Sequence, residues 1–272
     1  MKETAISNCY ISPSPSTEQF IPNHTFNYLV VGAMTIFDGS REYNVRAGDC
    51  GIGRRNHLAR YTKHPDNGAF KKVFISFEQD FLKQFRDTHP ALPAVNTTAN
   101  AIINTDAVVA LRKNVLVDNF IQSLTPYFNE NGLIDEAFLD VKRTELLLIL
   151  LKDNPELPGI LFDFSDPAKI DLEDFMNRNF KFNVSIERFA YLTGRSLSGF
   201  KRDFEKIFKA TPSHWLVQKR LEEAHYLLSK KAKKPSDIYL DLGFENLSHF
   251  SFAFKKLFGH PPTQTEARKT SS

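Results

Sequence analysis

A spacing repeat in the last third of the chain limits what it can fold into more than any other feature. Leu197, Phe200, Phe204, Ile207, Phe208 and Pro212 return fifty residues later as Leu247, Phe250, Phe254, Leu257, Phe258 and Pro262. Intervals of 3, 4, 3 and 1 among the apolar members match one buried face of an α-helix, so the repeat predicts two equivalent helices. Each follows a shorter apolar-periodic stretch and a glycine: Ile186, Phe189 and Ala190 precede Gly194, and Ile238 and Leu242 precede Gly243. Ser185 and Ser236 suit the N-caps of those first helices, and glycine supplies the positive φ of a tight turn. The pattern predicts two helix-turn-helix units, about 185–208 and about 236–258, the second turn longer by one residue. Pro212 to Leu228 reads as a connecting helix with Trp215, Leu216, Leu221, Ala224 and Leu228 on its apolar side. A rigid connector would let two reading helices enter successive major-groove segments about 34 Å apart.

Charge is divided in the same way. From Asp166 onward the chain carries 19 Lys+Arg against 13 Asp+Glu, whereas residues 1–165 carry 16 against 19. A basic C-terminal third on an acidic remainder suits a polyanionic partner for one domain only. No apolar run approaches the roughly 20 residues needed to cross a bilayer. Residues 1–17 are polar and rich in Pro and Ser, unlike a signal peptide, which predicts a flexible, cytoplasmic start and no membrane partner.

The N-terminal part reads differently. Tyr28–Val31, Ala33–Phe37, Glu42–Val45, Leu58–Lys63 and Phe70–Phe77 have strand character, separated by turn signals such as Asp38-Gly39 and Ala47-Gly48-Asp49. A small antiparallel sandwich or barrel over about 20–85 follows, with a short helix near Asp80–Phe85. Helices are expected over about 106–152, at Ala107–Leu124 and Asp135–Lys152. In the second of these, apolar residues including Leu139, Leu146, Ile149 and Leu150 occupy more than one face, which fits either a homodimer interface or packing against the chain's own barrel. Prolines in 154–158 and 164–168 mark the hinge between a domain of residues 1–165 and one of 166–272.

Other chemistries find little support. Cys9 and Cys50 have no metal-ligand or CxxC spacing, and Cys50 in a strand-like stretch reads as a small buried hydrophobe. A non-haem iron enzyme would need convergent ligands, and His24, His57 and His64 form no His-x-His pair. No catalytic residue, metal or cofactor is therefore assigned. A non-specific DNA organiser would need phosphate contacts without base readout.

The stretch from Val184 to Pro262, with ERFAYLTGRSLSGFKRDFEKIF, WLVQKRLEEAHYLL and DIYLDLGFENLSHFSFAFKKLFGHPP, resembles the DNA-binding domain of the AraC/XylS family of bacterial regulators. The resemblance implies a seven-helix domain, its first helix near Ile170–Asn179 and its last near Thr263–Lys269. It also implies binding to double-stranded promoter DNA, usually with activation and hence RNA polymerase as a partner. The strand-rich part is similar to the cupin-like effector and dimerisation domain of that family, which senses small molecules or partner proteins. The fold class expected is α+β in two domains: an antiparallel, cupin-like β-barrel with a helical dimerisation segment, then an all-α tandem helix-turn-helix domain.

On the first reading helix, Ser198, Lys201 and Arg202 lie opposite the apolar face, and Arg202 can bind guanine O6 and N7 in a bidentate manner. The alternative is a merely solvated basic face. At the repeat-equivalent positions the second helix has Ser248, His249, Ser251 and Phe252; Phe252 would touch a thymine methyl or pack inside the domain. The family often has a basic residue where Phe252 stands, and a small one where Tyr239 stands. Arg195, Lys206, Lys255 and Lys256 are placed for phosphate contacts. Lys230, Lys231, Lys233 and Lys234 either reach the backbone or form a solvated loop, and Trp215 is expected in the core.

Overall fold

The computed structural model describes residues 6–10, 19–90, 106–231 and 233–265. Their contacts divide the chain into two compact units after Ser165.

In the N-terminal unit, strands β1 (Ile6–Tyr10), β2 (Phe20–Ile21), β3 (His24–Val31), β4 (Ala33–Phe37), β5 (Glu42–Arg46), β6 (Cys50–Gly53), β7 (His57–Leu58), β8 (Arg60–His64), β9 (Lys71–Phe77) and β10 (Val108–Ala110) form three antiparallel sheets. Their orders are β1-β9-β3-β6-β10, β2-β7 and β5-β4-β8. The expected closed cupin-like barrel is not what forms among the described residues. The β3–β9 register shifts between Leu29 and Val31, and the chain then leaves that sheet to build β4 in another. A bulge re-aims a strand in this way, and the result is an open arrangement of sheets. Within the stretch expected to be flexible, Ile6–Tyr10 is the edge strand β1; the rest of 1–17 lies outside the described residues.

Helices α1 (Gln79–Thr88), α2 (Val115–Ser123), α3 (Glu136–Asp153) and α4 (Leu157–Leu161) complete this unit. The helix expected from Ala107 begins as β10 instead, because Val108-Val109-Ala110 pairs with Gly51–Gly53 of β6; α2 starts only where the Asn114 side chain caps it. Leu157 and Leu161 of α4 are fully buried and Asn154 and Pro158 are buried with them, only Pro155 and Glu156 being exposed, so the segment 154–158 is part of the N-terminal unit, whose boundary falls after Ser165. α3 resolves the ambiguity of its apolar faces. Leu146 and Leu150 are buried in one cluster with Ile52, Ile75, Phe77 and Phe120, and Leu139 and Ile149, partly buried, pack against that cluster. Of the two readings open for these four residues, a dimer interface or the domain's own interior, the interior is where they pack, and full burial of a side chain such as Leu146 or Leu150 contributes about 1.5 to 3 kcal/mol. What α3 leaves exposed is Phe138, Val141 and Leu148.

The C-terminal unit contains α5 (Leu172–Asn179), α6 (Ile186–Leu192), α7 (Leu197–Phe208), α8 (Pro212–Lys231), α9 (Pro235–Ile238) and α10 (Leu247–Phe258), then a 3-10 turn, Pro262–Gln264. The remainder of the expected last helix lies outside the described residues. Both reading helices are amphipathic and capped, α7 by the Ser196 hydroxyl and α10 by the Asn246 side chain. Phe200, Phe204, Phe250 and Phe254 have no exposure, but the outer repeat members are not buried: Ile207, Leu247 and Leu257 are 40%, 39% and 46% exposed. The inward face is therefore narrower than the repeat suggests.

Among the described residues, no helix is long and apolar enough to cross a membrane.

Candidate nucleic-acid interface

Each reading helix is held from behind by an aromatic ladder. In the first unit the rings of Phe200, Phe204 and Phe208 are 5.6 and 4.3 Å apart in succession, and Trp215 of α8 closes on Phe208 at 4.6 Å. In the second unit Phe250, Phe254 and Phe258 stand at 5.8 and 4.6 Å, and His225 of α8 closes on Phe258 at 4.8 Å. The connector thus offers one ring to each unit, ten residues or about 15 Å apart along its axis. Trp215, expected in the core, is half-buried and packs on Phe204 and Phe208.

The two turns have the positive φ that only glycine adopts without strain, +64° at Gly194 and +81° at Gly243. Each also lets a neighbour approach. A Cβ on Gly194 would lie 2.5 Å from the backbone of Ala168 and Lys169, and one on Gly243 would lie 2.7 Å from the Lys181 carbonyl oxygen and 2.9 Å from the Arg220 guanidinium carbon.

Arg220 was not anticipated. Its guanidinium is buried in the connector and donates to the carbonyls of Phe180 (2.7 Å), Phe182 (2.7 Å) and Gly243 (3.0 Å). Burial lowers its pKa to about 10, still high enough to remain charged at neutral pH. One side chain therefore ties the segment leading into the first unit to the turn of the second. The sequence signal was an arginine four residues from both Leu216 and Ala224, on the apolar side of α8.

The outward face of α7 carries Ser198, Lys201, Arg202 and Lys206, all exposed. Arg202 has 80% of its side chain in solvent and pairs with Asp203 at 3.5 Å. Arg195 differs from the expectation. Only 9% of its side chain is exposed; it donates to Asp203 at 3.2 Å, to the carbonyl of Thr193 at 2.8 Å and to that of Ile170 at 3.0 Å. It anchors the segment before α5 and is no surface cation for phosphate. In turn, its hydrogen bond, aided by Lys169 and Arg202, holds the Asp203 carboxyl below its usual pKa.

On α10 the corresponding face shows Ser248, His249, Phe252, Lys255 and Lys256 exposed and Ser251 half-buried. Phe252 is 70% exposed, which removes the option of a core position. The His249 ring lies edge-on to Phe244 at 5.8 Å. Tyr239 packs half-buried against the cluster of Leu242, Phe250 and Phe254. Ser185 caps α6 as expected, accepting from Arg188 N–H, but Ser236 does not cap: α9 begins at Pro235 without a side-chain cap, and the Ser236 hydroxyl bonds Asp237.

Comparison with known proteins agrees with this geometry. Residues 24–159 match the ExsA N-terminal regulatory domain, and residues 189–268 match a helix-turn-helix domain. The chain is 28% identical to the thermoregulatory protein LcrF of Yersinia pestis and 24% identical to the virulence regulon transcriptional activator VirF of Yersinia enterocolitica. Each alignment covers 90% of this chain and 89% of the relative. It is 22% identical to the transcriptional regulator ExsA of Pseudomonas aeruginosa, over 89% of this chain and 85% of that one. Among solved structures, a ToxT variant from Vibrio cholerae aligns over 96% of this chain and 97% of its own, at 12% identity and a TM-score of 0.47. With an ExsA-type regulatory domain followed by a tandem helix-turn-helix domain, the chain belongs to the AraC/XylS family of DNA-binding transcription regulators.

Proposed function

We propose that this regulator activates transcription by reading two successive major-groove segments of a promoter, the first with α7 through Ser198, Lys201 and Arg202, and the second with α10 through Ser248, His249, Ser251 and Phe252. The observation that carries this is the solvent-exposed, repeat-matched face of two helices whose opposite faces are both locked to one connector. Lys206, Lys255 and Lys256, exposed toward the ends of the same helices, supply phosphate contacts. Activation implies contact with RNA polymerase, and the N-terminal domain supplies response to a small-molecule or protein effector. It also supplies self-association, through the exposed Phe138, Val141 and Leu148 stripe of α3. Val141→Glu should leave the fold intact and lower the sedimentation coefficient of any dimer.

Footprinting of the full-length protein on promoter fragments tests the main reading. A defined protected site at physiological salt, covering two major-groove segments on one face of the duplex, is the expected result. Protection that spreads without sequence preference would instead mark a phosphate-only binder.

A further inference from the structure

Asp203, beside the exposed Arg202 on α7, is half-buried and faces cations on two sides. Its Oδ2 accepts from Arg195 Nε at 3.2 Å and lies 4.0 Å from Lys169 Nζ, while its Oδ1 lies 3.5 Å from Arg202 Nη2. Arg195 is itself fixed, because its Nη1 donates to the carbonyls of Thr193 at 2.8 Å and Ile170 at 3.0 Å. The hydrogen bond from Arg195 holds the Asp203 carboxyl below its usual pKa, so it is a carboxylate throughout the neutral range. A negative charge therefore stands at the edge of the reading face, one oxygen anchored to the turn and the other turned to Arg202.

Such a charge changes what an arginine prefers. A guanidinium has five N–H donors in a planar fork, so one edge turned to a carboxylate leaves the other for guanine O6 and N7. The pairing also restrains a long side chain that is otherwise 80% in solvent, which lowers the entropy lost on meeting a base. A phosphate, by contrast, brings a second anion up to the Asp203 carboxylate, and the two repel. A base edge is neutral and meets no such penalty. The repeat supplies an internal comparison: where α7 has Arg202 and Asp203, α10 has Phe252 and Ala253, so the arginine and the carboxylate are absent together from the second unit.

We propose that Asp203 is a specificity-determining positioning residue, which holds the Arg202 guanidinium toward a base edge and turns it away from the DNA phosphates. The role rests on the proposed reading of a base by Arg202.

The probes are a duplex selected by the wild-type full-length protein from a randomised pool, its variants at each base pair, and a scrambled duplex of equal length. The diagnostic position is the base pair whose discrimination Arg202→Ala removes. Asp203→Asn keeps an oxygen acceptor for Arg195 and removes the charge. It should bind the scrambled duplex about threefold or more tighter than wild type, with the salt slope steeper by about one phosphate. Discrimination at the diagnostic position should fall about tenfold. A merely structural role would instead weaken both duplexes together. Added to Arg202→Ala, Asp203→Asn should change base preference by less than about twofold, because the side chain it positions is gone. Unchanged discrimination in Asp203→Asn, weaker binding to both duplexes with discrimination intact, or a further loss of discrimination in the Arg202→Ala background would each overturn the proposal. If Asp203→Asn does not fold, Asp203→Glu, which shifts the charge by one methylene, should lower the same discrimination about threefold, and no change would count against the role. The two readings fail separately. If no sequence is selected, or Arg202→Ala leaves every base preference intact, base reading falls and this role falls with it. If Arg202→Ala removes a preference that Asp203→Asn leaves whole, only the role of Asp203 falls.

Discussion

The two helix-turn-helix units share a spacing and an aromatic ladder but differ in what surrounds them. In the first, the leading helix α6 has seven residues and a serine cap, and the turn glycine backs onto the exposed segment at Ala168 and Lys169 that precedes α5 in the same unit. In the second, the leading helix α9 has four residues and no side-chain cap, and the turn glycine backs onto the buried guanidinium of Arg220. The first presents Lys201 and Arg202 outward, and the second presents Ser251 and Phe252. A common core with divergent surroundings means that the repeat preserves helix position and leaves stability and base preference to be set separately in each unit.

The turn glycines offer the strongest test of that separation. Gly243→Ala adds a Cβ at positive φ, 2.7 Å from the Lys181 carbonyl oxygen and 2.9 Å from the buried guanidinium of Arg220, which three carbonyls hold in place. A loss of about 3 to 5 kcal/mol in the stability of the C-terminal domain is expected. Gly194→Ala meets an equally close backbone, but that backbone is an exposed segment able to shift, so about 1 to 2 kcal/mol is expected. Equal losses in thermal or urea unfolding would break the distinction. Arg220→Lys sharpens it: a single ammonium cannot reproduce a fork bonded to three carbonyls, and the phase between the units should loosen. Wild-type protein should bind a site with five base pairs inserted between its halves at least about tenfold more weakly than the native site, half a helical turn being lost. The lysine variant should show less of that discrimination.

The reading faces come next. Arg202→Ala should cost about 1 to 3 kcal/mol of binding and relax specificity at one or two base pairs in the half-site read by α7. Binding to a base-by-base substituted site checks this, and uniform weakening across all sequences would make Arg202 a phosphate contact. Phe252→Ala is the counterpart in α10. With the ring 70% exposed, unfolding stability should change by less than about 0.5 kcal/mol. Binding should weaken by about 1 kcal/mol where a thymine faces the ring and not elsewhere.

Much of this was legible beforehand because helical periodicity and glycine turns are local signals. Five strand segments, α3, both reading helices and the connector follow from period and punctuation alone. What escaped depended on contacts distant in sequence. Arg195 looked like a phosphate ligand because nothing local reveals that the Ile170 carbonyl and Asp203 claim its guanidinium. Arg220 was hidden by partners 23 to 40 residues away. Leu146 and Leu150 looked available to a second copy because Ile52, Ile75 and Phe77, which share their buried cluster, lie more than sixty residues upstream. Barrel closure likewise turns on strand pairing across the sheets, which alternation within one strand does not specify.

The smallest predicted effect sits at the ends of the reading helices. Both finish with a residue in the left-handed region: Lys209 at φ +54° after α7, and Gly259 at φ +81° after α10. The geometry is the same C-terminal stop, in which the N–H of the capping residue bonds to the carbonyl four residues back, Glu205 in one case and Lys255 in the other. Only glycine reaches it without crowding its own Cβ; for an L-residue the conformation costs about 1 kcal/mol or more. Glycine gives part of that back through its greater freedom in the unfolded chain. Lys209→Gly should therefore stabilise the C-terminal domain by about 0.5 to 1 kcal/mol, and Gly259→Lys should destabilise it by a similar amount. If urea unfolding shows Lys209→Gly to be neutral or destabilising, the lysine contributes a compensating interaction, and the two helix ends are as distinct as the two reading faces.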